Sequence, residues 1–142
     1  MVYAVQRIMV KKVVTCDVKD TIQSVARTMR KKKIGCLIVL KGKNPVGIVT
    51  ERDVAWEGVA NNLNCCIINV KEIMSSPLKS ISPDADIYYA DAVMEKNNIK
   101  RLAVMKGKKL VGIITQSDMI KYFVKQRQAL ALDKFKKGIK SV

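Results

Sequence analysis

Residues 42–53 read GKNPVGIVTERD, and residues 107–118 read GKKLVGIITQSD. The two stretches lie 65 residues apart, and the same offset, without a gap, sets Ile8-Met9 on Ile73-Met74, Thr15 on Ser80, Ile22 on Ile87, Met29 on Met94 and Ile34 on Ile99. Register held at one offset along the whole chain marks an internal duplication, which decides the architecture before any single element is assigned. A unit of about 60 residues buries only roughly 60% of its unfolded surface, so two such units are expected to cover one another as a pseudo-twofold pair.

Each copy reads strand, helix, strand, strand, helix. Residues 13–16 form a short apolar strand, and Thr21 then caps a helix whose buried stripe is Ile22, Val25, Ala26 and Met29. In the second copy Asp86 takes the cap position, ahead of Ile87, Ala90 and Met94. Strands at 36–40 and 46–49, and their counterparts at 102–105 and 110–114, are joined by glycine-containing turns and read as hairpins. Gly47 and Gly112 fall inside those apolar strands, where glycine weakens the strand and marks close approach of another backbone or of a ligand.

The second helix of each copy starts at Thr50 and at Thr115. The first is expected to end near Ala60 and the second to run on through Ile120, Phe123, Val124 and Leu130 into a basic tail. The fold class is therefore α/β. Its expected divisions are a first repeat over 3–60, a linker over 61–72 laid on the core through Ile67, Ile68 and Val70, a second repeat over 73–125 and a basic helical extension over 126–142.

Composition narrows the function. Lysine and arginine number 27 against 12 acidic residues, a formal charge of +15, which predicts attraction to nucleotides, nucleic acid or anionic surfaces. Much of it, as at Lys31, Lys32, Lys33, Lys108, Lys109, Lys136 and Lys137, also fits an ordinary solvated face. The chain has no histidine, so histidine-based triads are excluded. Its four cysteines show neither a metal-site spacing nor a disulfide framework, and free thiols fit a reducing cytoplasm. No run approaches the roughly 20 apolar residues of a membrane span, and the polar, basic residues after Ala4 do not read as a signal peptide.

The chemistry concentrates at Gly47, Thr50 and Asp53 and again at Gly112, Thr115 and Asp118. A capping threonine followed three residues later by an acid can be a capping box and nothing more. It can also be a ligand site, with a glycine admitting the ligand to the strand and a carboxylate accepting both hydroxyls of a ribose.

Taken together, the opening Ile8-Met9 and Ile73-Met74, the Thr15-x-Asp17 and Ser80-Ile81-Ser82 segments, the run over 99–104 and the two Gly-x-x-Thr-x-x-Asp motifs resemble a tandem pair of cystathionine-β-synthase-type (CBS) domains, a Bateman module. The resemblance implies a disc-like module with two clefts that hold AMP, ADP or ATP, and with less support S-adenosylmethionine. It also implies a homodimer, no required cofactor, no catalysis of its own, and regulation of another protein. It places the ribose on Asp53 or Asp118, with Thr50 or Thr115 beside the ribose or phosphate. It assigns Thr15, Cys16 and Asp17 to the cleft of Asp53, and Ser80, Ile81 and Ser82 to that of Asp118.

Lys100 and Arg101 match phosphate-contacting cations that reach the opposite repeat's site. The first repeat has Gly35-Cys36 at that place, so the Asp53 cleft, aided by Arg101 and Arg52, is expected to be the better nucleotide site. The Asp118 cleft is expected to stay empty, to bind weakly, or to recruit a lysine from residues 31–33. Ala103 stands where the family commonly has proline. Arginine in a strand can also simply pair with a surface acid. The other reading is a nucleic-acid or protein-interaction module that uses the basic tail, although one Trp, two Phe and four Tyr leave few rings for stacking bases.

Overall fold

In the computed structural model, which describes residues 3–140, β1 (Thr15–Asp17), β2 (Cys36–Lys41) and β3 (Asn44–Thr50) form one three-stranded sheet. β4 (Ser80–Ile81), β5 (Arg101–Lys106) and β6 (Lys109–Thr115) form the other. In each sheet the first strand pairs parallel to the second and the hairpin is antiparallel, with Thr15 opposite Ile38 and Ser80 opposite Ala103. A parallel neighbour requires a crossover. Helices α1 (Ile22–Lys32) and α3 (Ile87–Asn97) supply it.

Both helices begin where the sequence places their caps. Thr21 Oγ1 accepts from the Ser24 N–H at 3.1 Å and Asp86 Oδ1 from the Tyr88 N–H at 2.8 Å. Ile22, Val25 and Met29 bury one stripe against the first sheet, and Ile87, Ala90 and Met94 bury the matching stripe against the second. Each helix ends on a left-handed residue, Lys33 and Asn98.

The repeats exchange their leading segments. Val5, in a short helical turn over Val5–Arg7, is fully buried in the core of the second sheet, while Val70 and Ile73 enter the core of the first. Single bridges fix the exchange: Val10 pairs with Ile113 and, by the same symmetry, Ser75 with Ile48. A third cluster, built on Ile38, Ala103 and Ile113 with Leu40 and Leu110 beside it, joins the two sheets. The pair therefore shares one interior, as the size of each unit requires.

Two local expectations change. Ile67 is 69% exposed, so within the linker only Leu63, Cys65, Ile68 and Val70 pack on the first core. The linker's carbonyls have a second task, because Ile68 O and Cys65 O accept from the N–H groups of Ile22 and Gln23 at the start of α1. The helix after β3 is regular only over α2 (Glu51–Asp53) and continues as wide π-helical turns over Val54–Val59, with the Ala60 N–H bonded to Ala55 O. Its counterpart α4 (Gln116–Lys140) is a single long helix whose residues 124–138 are all exposed. The tail residues Ser141 and Val142 lie outside the described residues. Among the described residues no helix is long and apolar enough to cross a membrane.

Candidate functional site

Thr50 ends β3 and starts α2, and the expected capping box is formed. Asp53 Oδ2 accepts from the Thr50 N–H at 2.9 Å and from the Thr50 hydroxyl at 3.1 Å, while Thr50 Oγ1 accepts from the Asp53 N–H at 3.2 Å. The second copy repeats it, with Asp118 Oδ2 accepting from the Thr115 N–H at 3.0 Å and Thr115 Oγ1 from the Asp118 N–H at 3.1 Å. All of these contacts at Asp53 fall on its N–H and on Oδ2. The other carboxylate oxygen is left to accept from outside.

Thr50, Arg52 and Asp53 line a cavity of about 560 Å³ together with Ile48 and Glu51. The second repeat supplies the rest: residues 75–79, which precede β4, and Ile99, Lys100, Arg101 and Ala103. The cavity is thus built across the repeats. It gathers the cations Arg52, Lys79, Lys100 and Arg101 around the carboxylates of Glu51 and Asp53. The Arg52 guanidinium also lies 4.8 Å from the centre of the Trp56 ring, a cation–π contact that props the side chain at the rim.

Arg101 is held near the pseudo-twofold axis. Its charge acts on the thiol of Cys36, its own repeat equivalent, and equivalent positions that come together must lie close to the axis. A Cβ on Gly35 would come within 2.9 Å of Glu51 Oε1 and 3.0 Å of Arg101 Nη2, so the lack of a side chain there leaves room for both charged groups. Burial pushes the Cys36 thiol up, partly offset by Arg101, with Glu51 and Asp118 adding to the rise.

Thr15, Cys16 and Asp17 do not belong to this cavity, and the strand pairing gives the reason. β1 runs parallel to β2 and sets Asp17 opposite Leu40, toward the hairpin turn, whereas Thr50 pairs with Cys36 at the other end. Thr15 instead borders a hollow at the hairpin turns, Cys16 packs on the first core, and Asp17 Oδ1 accepts from the Lys19 N–H in a tight turn. In the second repeat Ile81 is a core residue and Ser82 Oγ accepts from the Asp84 N–H, which leaves Ser80 exposed at the strand edge.

Residues 75–79 occupy the place expected for residues 15–17. They arrive through the exchange of leading segments, and no composition signal beyond Ser75-Ser76-Pro77 marks them in advance. At the Asp118 end the equivalents of Ser76 and Pro77 are Lys11 and Lys12, brought in by the bridge from Val10 to Ile113. Lys33 lines a separate groove with Met29, Ile34 and Val54.

Gly47 and Gly112 serve backbone approach. A Cβ on Gly47 would sit 2.7 Å from Ser75 O, and one on Gly112 would sit 2.6 Å from Met9 Sδ and 3.0 Å from Val10 O. Both glycines hold the exchanged segments against the sheets.

The four thiols are all free. Burial, helped by the Asp20 and Asp17 carboxylates, pushes Cys16 from 9.0 up to about 12. Its thiolate is disfavoured in the fold, so the stability tied to this group is whole below about pH 9 and is lost as pH rises toward about 12. Cys66 is exposed. Iodoacetamide at pH 8, followed by peptide mass spectrometry, is therefore expected to label Cys66 first and Cys16 last; Cys16 labelling as fast as Cys66 contradicts the placement.

The family profile described as the CBS domain matches residues 5–58 and again 70–125. The chain belongs to the CBS-domain family. It is 32% identical over 142 residues to a protein of Methanocaldococcus jannaschii, a match that takes in 91% of this chain and 34% of that one. It is 29% identical to the CBS domain-containing protein YhcV of Bacillus subtilis, over 82% of each chain. The chain spans 34%, 56% and 36% of the length of three archaeal relatives, so in such proteins the CBS pair is one part of a larger whole. Among solved structures, a CBS domain pair in complex with 5′-methylthioadenosine and S-adenosyl-L-methionine superposes with a TM-score of 0.79 at 26% identity, covering 87% of this chain and 97% of that one.

Proposed function

We propose that this CBS pair is a regulatory module that binds an adenosine nucleotide in the cavity at Asp53. The observation that carries the reading is the composition of that cavity. The Asp53 carboxylate, anchored by its own capping box, shares about 560 Å³ with Glu51 and with Arg52, Lys79, Lys100 and Arg101, a volume within the usual range for small-ligand sites. The carboxylate suits the vicinal hydroxyls of a ribose and the cations suit a phosphate tail. The related pair that holds 5′-methylthioadenosine and S-adenosyl-L-methionine supports the adenosine part. The four cations favour AMP, ADP or ATP over either of those ligands.

The cavity walls come from both repeats, so an occupant would bridge them. It would shift the protein toward whichever arrangement binds it more tightly, and a partner or a second copy would read that arrangement. The reading has no catalytic step: Asp53 is tied into a cap and the Cys36 thiol is held protonated beside Arg101.

The Asp118 side is the weaker site in this reading. Gly35, Cys36 and Ser117 stand there for Lys100, Arg101 and Arg52, although Lys11 and Lys12 return some positive charge. Titration calorimetry with AMP, ADP, ATP and S-adenosylmethionine is expected to give one saturable site for a phosphorylated ligand, weakened about tenfold or more in Arg101→Ala. Heat from none of the four at millimolar concentration, with the protein folded, ends the proposal.

A second reading, docking of nucleic acid or a protein through α4, rests on its exposed course over residues 124–138, with Lys125, Arg127, Lys134, Lys136 and Lys137 against Asp133 alone. Binding of generic RNA or DNA that falls steeply with salt and is lost on truncation after residue 125 favours it.

A further inference from the structure

The hairpin turns lie at the other end of the strands from the Asp53 cavity, about 16 Å away at about 3.3 Å per residue. There the Lys41–Asn44 pair and the Lys106–Lys109 pair close β2–β3 and β5–β6 around Gly42 and Gly107, at φ 64° and 62°. The turns are repeat equivalents, and the structure brings them to one place. A hollow of about 540 Å³ lies between them, bordered by Lys43 from the first turn and by Lys106, Lys108 and Lys109 from the second. The hydroxyl-bearing Thr15 adds a donor at its edge, and Leu40, Pro45 and Leu110 form an apolar wall.

Four exposed lysines border one hollow, and their like charges add to a positive potential there. No acid offsets it: among the described residues none of the four lysines has a carboxylate within 4.0 Å. No acidic residue borders the hollow. Leu40 and Leu110, half-buried beside the cluster that joins the sheets, leave that side of the hollow without a polar group to neutralise the lysines.

Lysine offers mobile point charges rather than the planar fork by which arginine selects a single carboxylate or phosphate. Charges carried on two separate turns match a chain of linked phosphates better than one compact anion. We propose that this hollow is a second anion site, distinct from the Asp53 cavity, which takes a linear polyphosphate group and clamps the two hairpins together.

The site is tested on the ¹⁵N-labelled 142-residue chain. Inorganic tripolyphosphate is titrated in, with the amides of Gly42 and Gly107 as reporters. Both are expected to shift saturably, and the combined Lys43→Gln, Lys108→Gln, Lys109→Gln variant is expected to bind about tenfold or more weakly. These side chains are exposed, so the variant should keep a dispersed spectrum. Asp53→Ala should leave the hairpin shifts unchanged.

Two arms separate the sources of such a group. ATP moving the two glycines as far as tripolyphosphate assigns the hollow to a nucleotide's triphosphate tail, and ATP leaving them still assigns it to free polyphosphate. Three outcomes overturn the proposal: shifts confined to residues around Asp53, a glutamine variant that binds as the parent does, or oligothymidylate that displaces tripolyphosphate at equal phosphate concentration.

Discussion

Asp53→Ala is expected to weaken AMP binding by about 10- to 100-fold, the loss of charge-assisted hydrogen bonds worth about 1.5–3 kcal/mol from ligand hydroxyls to a carboxylate. The same change removes a cap, at about 1 kcal/mol of stability, because Asp53 Oδ2 accepts from both the N–H and the hydroxyl of Thr50. The two effects separate with two further variants. Asp118→Ala breaks the equivalent cap, where Asp118 Oδ2 accepts from the Thr115 N–H, yet should leave the affinity of the first site within about twofold. Asp53→Asn keeps an acceptor for Thr50 but loses the charge, so it should recover most of the melting temperature and little of the affinity. Calorimetric affinity that follows melting temperature across all three variants would show that Asp53 is only a cap.

Much of this arrangement is visible in the amino-acid order because duplication leaves a periodic trace. The offset between Gly47 and Gly112 gives the number of units, and the apolar runs at 36–40 and 46–49, joined through a turn that holds Gly42, give the first hairpin. Thr21 and Asp86 give the helix starts. What is not visible is which repeat covers which sheet. Val5 and Val70 are apolar residues in polar surroundings, and their sequence is equally compatible with packing on their own repeat or on the other.

The exchange settles the makeup of the Asp53 cavity, which is why residues 75–79 replace residues 15–17 there. Arg101 shows the same limit. Its match to Gly35-Cys36 in the other repeat is plain at the shared offset, but its closeness to Cys36 follows from both lying by the pseudo-twofold axis, a property of the assembled pair. The wide turns over Val54–Val59 leave no trace in a helical periodicity that reads the same through Ala60.

Gly47→Ala is expected to lower the unfolding free energy by about 2–4 kcal/mol, from overpacking and two lost backbone hydrogen bonds. A Cβ there would lie 2.7 Å from Ser75 O and 2.9 Å from Met74 Sδ. The methionine can swing aside, but the carbonyl cannot, because Ser75 O accepts from the Ile48 N–H at 3.0 Å while the Ser75 N–H donates to Ile48 O at 2.8 Å. Relief therefore means lifting the segment that pins the second repeat to β3. Residues 75–79 are also a wall of the cavity, so nucleotide affinity should fall with the stability.

Gly112→Ala should cost less, since its tightest contact, Met9 Sδ at 2.6 Å, is the flexible end of a side chain and the Val10 carbonyl stands off at 3.0 Å. Gly58→Ala is the control: its nearest neighbours are Cys65 Sγ and Ile22 Cγ2 at 3.7 Å, ordinary contact in a helical segment, so it should be neutral or stabilising by up to about 1 kcal/mol. Urea midpoints at a common slope rank the three variants. If Gly47→Ala unfolds at the midpoint of Gly58→Ala, the exchanged segment is not held by this contact, and the cavity wall it forms must be fixed by the Val70 and Ile73 anchors alone.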